Sequence, residues 1–341
     1  MESSNRKIVI VTKKFGDNFT GATITTQRLI DKWLQYGYNI KVYTMHCGEI
    51  RSENIQKKVN VTVFRSDKKV IEYLKKESPS SIYYSDDHLG YLIHKAGRKY
   101  YHTYHGNWPD AKRINFDFFL KSFYFIPLYK RTIHYATNVI NVSEYMCRFT
   151  TKYNPKFVII RNGVDGDDRI TGIADAHNKI VMVGNVDHRK YSMAIPVLAK
   201  LSAQNTDICI DIYGNCIDKK ISKELSKISN VRLMGMKNKI PYKDYSVMVN
   251  TSKIENLSIS VCEALKSGIA VVSFDVGGLP EVIRKGEGAI IPKWHIHEMV
   301  QQILFLNDKN ISNTISSLKE FDWDIAARKY VNLFEEIIEK D

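Results

Sequence analysis

Short runs of apolar residues alternate along this chain with longer segments in which apolar residues recur every three or four positions. The first run, residues 7–12, is followed by a polar loop and then by a helical pattern from about Thr23 to Tyr36. Gly37 ends that helix, and a second apolar run follows at residues 40–44. Strand, loop, helix and strand in this order predict a Rossmann-like βαβ unit.

The same alternation continues to the end of the chain. Further strands are predicted at residues 81–85, 100–105, 136–142, 157–161, 179–184, 208–213, 231–235, 245–250 and 270–275. A last amphipathic helix begins at residues 321–323 and extends to Ile338. Strands separated by helical patterns indicate an α/β protein with parallel sheets.

Composition is compatible with this picture. The 341 residues are enough for two domains with separate cores, and 44% hydrophobic with 26% charged residues is typical of a soluble globular protein. The five cysteines are scattered and include no Cys-x-x-Cys pair, which indicates reduced thiols in a cytoplasm and argues against a zinc site. No secretory signal is expected, because the first apolar run is too short, and no segment approaches the ~20 apolar residues of a membrane span.

The net charge of +13 favours an anionic partner, which could be nucleic acid, a membrane surface or a phosphorylated ligand. The chain has no zinc-finger, homeodomain or RNA-recognition pattern. Nucleic-acid binding would therefore rest on charge alone, and we expect no nucleic-acid partner.

The positive charge is concentrated between residues 111 and 161, where aromatic residues are also dense. Pro127 is expected to divide this stretch into two pieces. Such a segment either lies in an anionic membrane interface or forms a buried helix whose lysines reach solvent, and the sequence leaves both open. The candidate residues for a surface that meets the acceptor or a membrane are Lys112, Arg113, Phe116, Lys121, Lys130 and Arg131.

Two glutamates eight positions apart, Glu255 and Glu263, mark the segment with the clearest chemistry. A buried strand at residues 245–250 leads through a polar loop into a helix, whose N-terminal N–H groups and dipole attract an anion. A carboxylate one turn inside the helix accepts two hydroxyl donors, which suits the vicinal diol of a ribose. With the glycine turn at residues 277–278, the segment predicts a site for a sugar joined to a nucleotide diphosphate.

This segment resembles the donor-binding E-x7-E motif of the retaining glycosyltransferases of family 4. The resemblance implies the GT-B fold, in which two Rossmann-like α/β domains face one another across a cleft and a C-terminal helix crosses back to the first domain. Residues 1–162, with the helix at 322–341, would form the acceptor-binding domain, and residues 163–321 would bind the nucleotide-sugar. Asn162 and Gly163 would form the hinge.

The resemblance also implies roles for single residues. Glu255 would contact the donor sugar, Glu263 the ribose and Lys190 the diphosphate. His105, in a strand end followed by a glycine, would face the donor sugar from the first domain, so the catalytic candidates are Glu255, His105 and Lys190. The donor-binding candidates are Gly21, Gly184, Asn185, Arg189, Lys190, Tyr213, Gly214, Glu255, Asn256, Leu257, Ser258, Ile259 and Glu263.

Three positions depart from the family's pattern. Asn185 stands where the family has an arginine, and Tyr191 and Ser258 stand where it has a glycine. Arg189 is a candidate for supplying the missing positive charge near the diphosphate.

The function that the resemblance implies is a metal-independent, retaining hexosyl- or related glycosyltransferase that needs no cofactor. Its donor would be a UDP- or GDP-linked sugar, and its acceptor a glycan, a lipid-linked molecule or a protein, as in the biosynthesis of bacterial surface polysaccharide. We expect a cytoplasmic protein, with peripheral attachment to the inner face of the cell membrane through an anionic lipid surface. The alternative, suggested by Asn185 and Ser258, is a catalytically degenerate partner that stabilises another transferase.

Overall fold

The computed structural model describes residues 6–16, 21–106, 108–165, 176–237, 239–309 and 321–338. The chain forms two compact units, one of residues 1–163 with 320–341 and the other of residues 164–319. The assignment of acceptor binding to the first unit and of nucleotide-sugar binding to the second stays a prediction.

The first unit is built on a parallel seven-stranded sheet with the order β3-β2-β1-β4-β5-β6-β7. Its strands are β1 (Lys7–Phe15), β2 (Asn39–Cys47), β3 (Asn60–Val63), β4 (Ile82–Ser85), β5 (Tyr101–Tyr104), β6 (Asn138–Asn141) and β7 (Phe157–Ile159). Its first seven helices are α1 (Gly21–Gln35), α2 (Glu53–Lys58), α3 (Asp67–Lys76), α4 (Gly90–Lys95), α5 (Trp108–Ala111), α6 (Phe116–Tyr135) and α7 (Glu144–Thr150). Helices cover both faces of a parallel sheet, so the inner strands β4 and β5 are buried throughout, whereas the edge strands β3 and β7 are not.

The second unit repeats this arrangement around a parallel six-stranded sheet with the order β10-β9-β8-β11-β12-β13. Its strands are β8 (Lys179–Val183), β9 (Cys209–Tyr213), β10 (Val231–Gly235), β11 (Val247–Asn250), β12 (Ala270–Phe274) and β13 (Gly288–Ile291). Its helices are α8 (His188–Tyr191), α9 (Ala194–Gln204), α10 (Lys219–Leu225), α11 (Ile259–Lys266) and α12 (Ile296–Lys309), with 3-10 turns at Tyr242–Asp244 and Leu279–Glu281.

The last helix, α13 (Trp323–Ile338), belongs to the first unit, which confirms the prediction that the chain returns there. Phe334 and Tyr330 are almost fully buried. Tyr330 lies edge-on to Trp33 of α1 and to Tyr84 of β4, and Phe334 lies edge-on to Tyr84 and tilted against Trp33. The Tyr330 hydroxyl also lies 2.9 Å from the Thr103 hydroxyl oxygen in β5. An aromatic cluster with a satisfied polar contact holds α13 on the sheet.

The prediction that Pro127 divides the aromatic and basic stretch was wrong. Residues 116–135 form one helix, α6, with Pro127 inside it. A proline in a helix loses one backbone hydrogen bond, and packing on neighbouring elements offsets that loss. The ring of Trp108 in α5 stacks 4.3 Å from that of Phe125, and Tyr129 is buried against Tyr104 of β5.

Candidate functional site

The second unit has a topological switch point between β8 and β11. The chain runs from β8 outward to β9 and β10, and then returns to the other side of β8 at β11. In open parallel sheets, ligands bind outside the carboxyl ends of the strands at such a point. The loops that follow β8 and β11 meet there, because Thr251 Oγ1 donates to the Lys190 carbonyl oxygen at 2.9 Å and the Lys253 N–H donates to the Arg189 carbonyl oxygen at 2.9 Å.

Two of the predicted catalytic side chains are in contact at this edge. Lys190 Nζ lies 3.1 Å from Glu255 Oε1, and the two side chains are only 20% and 12% exposed. Ser252 Oγ donates to the same carboxylate oxygen at 3.0 Å. A small pocket between the ends of β8 and β11 is lined in part by Lys190, Asn250 and Ser252. Because the pair is largely shielded from water, its attraction is screened much less than that of a surface ion pair.

Gly184, at the end of β8, makes room for the Lys190 side chain. Its φ is +141°, and a Cβ built there would lie 2.9 Å from Lys190 Cδ. The backbone of Lys190 is held by Asp187, which caps α8 and accepts the Lys190 N–H at 2.9 Å. Arg189, the candidate for an extra cation, pairs with the other oxygen of Asp187 at 3.3 Å.

The glycine turn after β12 supports the loop that carries Glu255. Gly277 has a φ of +62°, and a Cβ there would lie 1.8 Å from the Glu255 carbonyl oxygen. The neighbouring Gly278 N–H donates to the Asn256 carbonyl oxygen at 2.7 Å. The sequence indicated this turn as part of the motif, and the structure shows that it is the backbone on which the Glu255 loop rests.

Helix α11 begins directly after this loop. Leu257 and Ser258 are buried, Ser258 is the N-cap residue, and Ile259 is the first helical residue. The Ser258 side chain makes no capping bond, and its Oγ lies 3.1 Å from Ser260 Oγ. The predicted anion-binding amides are thus at the start of an eight-residue helix that also carries Glu263.

Glu263 accepts a hydrogen bond from Tyr242, which the sequence analysis missed. The Tyr242 hydroxyl lies 2.9 Å from Glu263 Oε2, and Tyr242 is 6% exposed. Tyr242 is in a short 3-10 turn, 21 positions from its partner. A turn of this kind leaves no periodic signal in a sequence, so only the folded chain reveals the contact.

The remaining donor-site candidates of this unit lie on the loop after β8, at the last residue of β9 and on the loop that follows it. Asn185 Oδ1 accepts the Asn215 N–H at 3.3 Å, so this residue ties the two loops together. The Gly214 N–H donates to the Gly235 carbonyl oxygen at 2.9 Å. Tyr213 is 3% exposed, with its hydroxyl 2.8 Å from that of Tyr245, so its ring belongs to the core of the unit.

The first unit has its own switch point, between β1 and β4. Asp86 and Asp87 follow β4, and the Thr26 hydroxyl donates to Asp86. Asp87 accepts the Leu89 N–H at 2.8 Å and the Thr12 hydroxyl at 3.3 Å. Burial raises the pKa of both carboxyl groups, and the negative charge of Asp87 raises that of Asp86 further.

The histidines near this edge are held in their neutral form. His102, in β5, is fully buried, and its Nδ1 lies 3.0 Å from Ser85 Oγ. Burial lowers the pKa of His102 to about 3, and it lowers the pKa values of His88 and His105 to about 4. His105, the predicted catalytic histidine, follows β5 and is partly buried. At neutral pH it therefore offers hydrogen bonding without positive charge.

Gly21, the last donor-site candidate, is the first described residue of α1 and is exposed. Its carbonyl oxygen accepts the Thr25 hydroxyl at 3.0 Å. Thr20, which precedes Gly21 in the sequence, lies outside the described residues.

The first half of α6 is exposed, which contradicts the alternative of a buried helix for this part of the stretch. Its exposed fractions are 73% for Phe116, 43% for Phe119, 52% for Leu120, 66% for Phe123 and 60% for Tyr124. The exposed cations Lys112 and Arg113 lie just before it, and Lys121 pairs with Asp117 at 2.7 Å. Lys130 and Arg131 lie further along, over the rings of Tyr153 and Tyr91.

Among the described residues, no group of three or more histidine, cysteine, aspartate or glutamate side chains is placed to hold a metal ion. No helix within these residues has both the length and the apolar character needed to cross a membrane.

Two family models match the sequence. The model described as Glycosyltransferase Family 4 matches residues 19–168, and the model described as Glycosyl transferases group 1 matches residues 177–309. Together the two matches cover most of the chain. A search of the curated proteins found no match.

Several solved structures resemble the whole chain. Sucrose-phosphate synthase (tll1590) of Thermosynechococcus elongatus has a TM-score of 0.77 at 15% identity, over 98% of this chain and 100% of that one. The lipopolysaccharide outer core galactosyltransferase WaaB, in its apo form, has a TM-score of 0.72 at 15% identity, over 98% and 100%. HepE of Anabaena in complex with UDP-glucose has a TM-score of 0.71 at 15% identity, over 98% of both chains. At this identity the similarity concerns the fold, and it confirms the predicted GT-B type with two Rossmann-like domains.

The contact between Gly277 and the Glu255 loop predicts a position-specific effect of a methyl group. Gly277→Ala should lower the melting temperature because the new Cβ meets the Glu255 carbonyl oxygen at 1.8 Å. Gly286→Ala is the matched control, since Gly286 also has a positive φ, of +96°, but nothing within 4 Å of its Cβ position. In thermal unfolding, the melting temperature of Gly277→Ala should lie about 4 °C or more below that of Gly286→Ala. Equal decreases would show that the close approach does not matter.

The buried carboxyl group of Asp86 predicts a pH-dependent gain in stability from Asp86→Asn. In the folded protein Asp86 keeps its proton at a pH where the unfolded chain has released it, so wild-type stability falls as the pH rises through that window. Asparagine keeps the bond from Thr26 without a charge. The melting temperature of Asp86→Asn relative to wild type should therefore increase between pH 5 and pH 8.

The control for this measurement is Asp275→Asn, which removes an exposed carboxylate in the second unit. Its melting temperature relative to wild type should change little over the same pH range. If the melting-temperature difference between Asp86→Asn and wild type is also constant from pH 5 to pH 8, the assignment of a raised pKa to Asp86 is wrong.

Proposed function

Since the chain belongs to the glycosyltransferases of group 1 and family 4, we propose that it transfers a sugar from a UDP- or GDP-linked donor to a glycan, lipid-linked or protein acceptor. The observation that carries this proposal is the 3.1 Å contact between Lys190 and Glu255 at the switch point of the second unit. In a nucleotide-sugar the terminal phosphate is bonded directly to the sugar. A cation beside a carboxylate therefore suits such a donor. The cation can bind the phosphate, and the carboxylate can accept hydroxyl groups of the adjacent sugar.

Each of these groups has one role in the proposed site. Lys190 and the first N–H groups of α11 bind the diphosphate and stabilise the negative charge that develops as it leaves. Glu255 accepts hydroxyl groups of the donor sugar, and Glu263, further along α11, accepts those of the ribose. Uridine as the base is supported by the similar fold of Anabaena HepE, whose structures contain UDP and UDP-glucose.

The stereochemistry and the metal requirement are further parts of the proposal. The family resemblance supports retention at the anomeric carbon, by attack on the same face from which the diphosphate leaves. We propose that Lys190 and the α11 amides stabilise the diphosphate charge without a divalent cation. His105 keeps its proposed role at the donor sugar, as a neutral group.

A second candidate function, the catalytically degenerate partner, is favoured by two observations. Asn185 uses its side-chain oxygen to hold the loop after β9, and Arg189 pairs with Asp187. Both observations leave Lys190 as the main cation proposed for the diphosphate. Donor turnover separates the two functions, because a partner protein of this kind would release no nucleotide from any donor.

The acceptor side of the proposal rests on the exposed part of α6. Phenylalanine side chains that are 43–73% exposed, next to Lys112 and Arg113, form a surface suited to an anionic membrane. We propose that the protein meets a lipid-linked acceptor at the cytoplasmic face of the cell membrane through this surface.

The function is tested by donor turnover in Glu255→Ala and Glu263→Ala, after a panel of UDP- and GDP-sugars has identified the donor. Glu255→Ala should lower kcat by about 100-fold, because this residue orients the reacting sugar. Glu263→Ala should mainly raise KM for the donor, by about tenfold, because the ribose does not react. The control is Glu298→Ala, which removes an exposed carboxylate from α12 of the same unit.

Near wild-type kcat/KM in both site variants would contradict the proposed site. Wild-type protein that turns over no donor in the panel would favour the degenerate partner. The same assay with EDTA tests the metal requirement, since loss of activity on chelation would show that a divalent cation is needed.

The membrane proposal is tested by co-sedimentation with vesicles that contain anionic lipid, and with vesicles that do not. Wild type should pellet with the anionic vesicles at low salt and be released at high salt, because each cation contributes about 1 kcal/mol through a screened attraction. Replacing Phe116 and Phe123 with serine, or Lys112 and Arg113 with glutamine, should weaken binding severalfold. Phe305→Ser, at a 48% exposed phenylalanine of α12, is the control. If wild type ignores anionic vesicles at low salt, the acceptor is not presented on a membrane through this surface.

A further inference from the structure

The hydrogen bond between Tyr242 and Glu263 joins two elements of the second unit that are distant in sequence. The Tyr242 hydroxyl donates to Glu263 Oε2 at 2.9 Å. Burial and the negative charge of Glu263 raise the pKa of Tyr242 well above its ordinary value, so the hydroxyl keeps its proton and acts as the donor. A bond from a buried hydroxyl to a carboxylate is stronger and more directional than one between neutral groups.

The tyrosine is held firmly by its own backbone. It begins the 3-10 turn Tyr242–Asp244, and its N–H donates to the Ile240 carbonyl oxygen at 3.0 Å. Its carbonyl oxygen accepts the Tyr245 N–H at 3.1 Å, and its side chain is almost completely buried. The phenol oxygen is therefore a fixed point in the unit.

Glu263, by contrast, is a long and only partly buried side chain on α11. Ordering a glutamate in one rotamer costs side-chain conformational entropy. Because a fixed donor already orders one carboxylate oxygen of Glu263, less conformational entropy is lost when a ligand binds to this side chain. A carboxylate has two oxygens with two acceptor positions each, so it can accept more than one hydroxyl donor at a time.

We propose that Tyr242 is a positioning residue for the nucleotide, which holds the Glu263 carboxylate in the orientation that accepts the two ribose hydroxyls. This inference rests on the proposed function, in which Glu263 binds the ribose. It goes beyond that function by naming the residue that confers selectivity for a ribose diol over a sugar that lacks it. Tyr242 acts through Glu263 and touches no reacting atom.

A structural role alone would give a different result from a positioning role. If the Tyr242 hydroxyl only satisfied a buried polar group, its removal would change stability but not the preference between nucleotides. A positioning role changes the preference for the ribose diol and leaves binding of the diphosphate as it was.

The experiment measures by calorimetry the dissociation constants of UDP and GDP and of their 2′,3′-dideoxyribose analogues. Wild type should bind UDP or GDP about tenfold or more tightly than its dideoxy analogue, and Glu263→Ala should abolish that preference. Tyr242→Phe should reduce the preference about three- to tenfold while the affinity for the dideoxy analogue stays within twofold of wild type. With a sugar donor, Tyr242→Phe should raise KM and leave kcat unchanged.

The matched control is Tyr245→Phe. It removes the hydroxyl of another buried tyrosine of the same unit, which donates to Asp211 at 2.7 Å and lies 2.8 Å from the Tyr213 hydroxyl, so its own partners do not include Glu263. This variant should keep the wild-type preference for the diol even if its melting temperature falls. In the Glu263→Ala background, Tyr242→Phe should have no further effect on the preference, since the two residues act as one unit.

Three results would overturn the inference. The first is an unchanged diol preference in Tyr242→Phe, and the second is an equal loss of affinity for both nucleotides. The third is a wild type that binds a nucleotide without any diol preference, which would remove the ribose role of Glu263 as well. Failure of the proposed function itself is distinct, because wild type would then bind none of the nucleotides and turn over no donor.

Discussion

The Lys190–Glu255 contact is the interaction around which the second unit is arranged. It joins the loops after β8 and β11, the two strands on either side of the switch point. Close backbone approaches at Gly184 and Gly277 allow this contact, because a side chain at either position would collide with Lys190 or with the Glu255 backbone. The cation and the carboxylate are thus held by elements that meet only in the folded unit.

The same principle applies to the first unit with different chemistry. At its switch point the groups are the buried Asp86, the partly buried Asp87 and nearby histidines, and burial favours the uncharged form of each. The second unit presents a paired cation and anion at the equivalent edge of its sheet. The two sheets thus share the strand order around the switch point but place different groups there. The edge in the second unit is suited to binding charged groups, and the edge in the first unit to hydrogen bonding with neutral groups.

Helix α6 shows how packing can override a local rule. Pro127 removes a backbone hydrogen bond, yet the helix continues because its inner face packs on Trp108 and Tyr104. Its outer face keeps several phenylalanines in solvent. Exposed rings beside cations are unusual for a surface without a partner, which is why this face carries the membrane proposal.

The sequence by itself determined the α/β class and the alternation of strands and helices, because apolar periodicity and glycine punctuation depend on nearby residues. Its resemblance to a known family implied the return of α13 to the first unit and the candidate roles of Glu255, Glu263 and Lys190. Only the tertiary structure decided that Lys190 pairs with Glu255, that Gly277 supports the Glu255 loop and that Tyr242 meets Glu263. Those contacts join residues 21 to 65 positions apart, and their geometry depends on strand order and loop packing that no local pattern encodes.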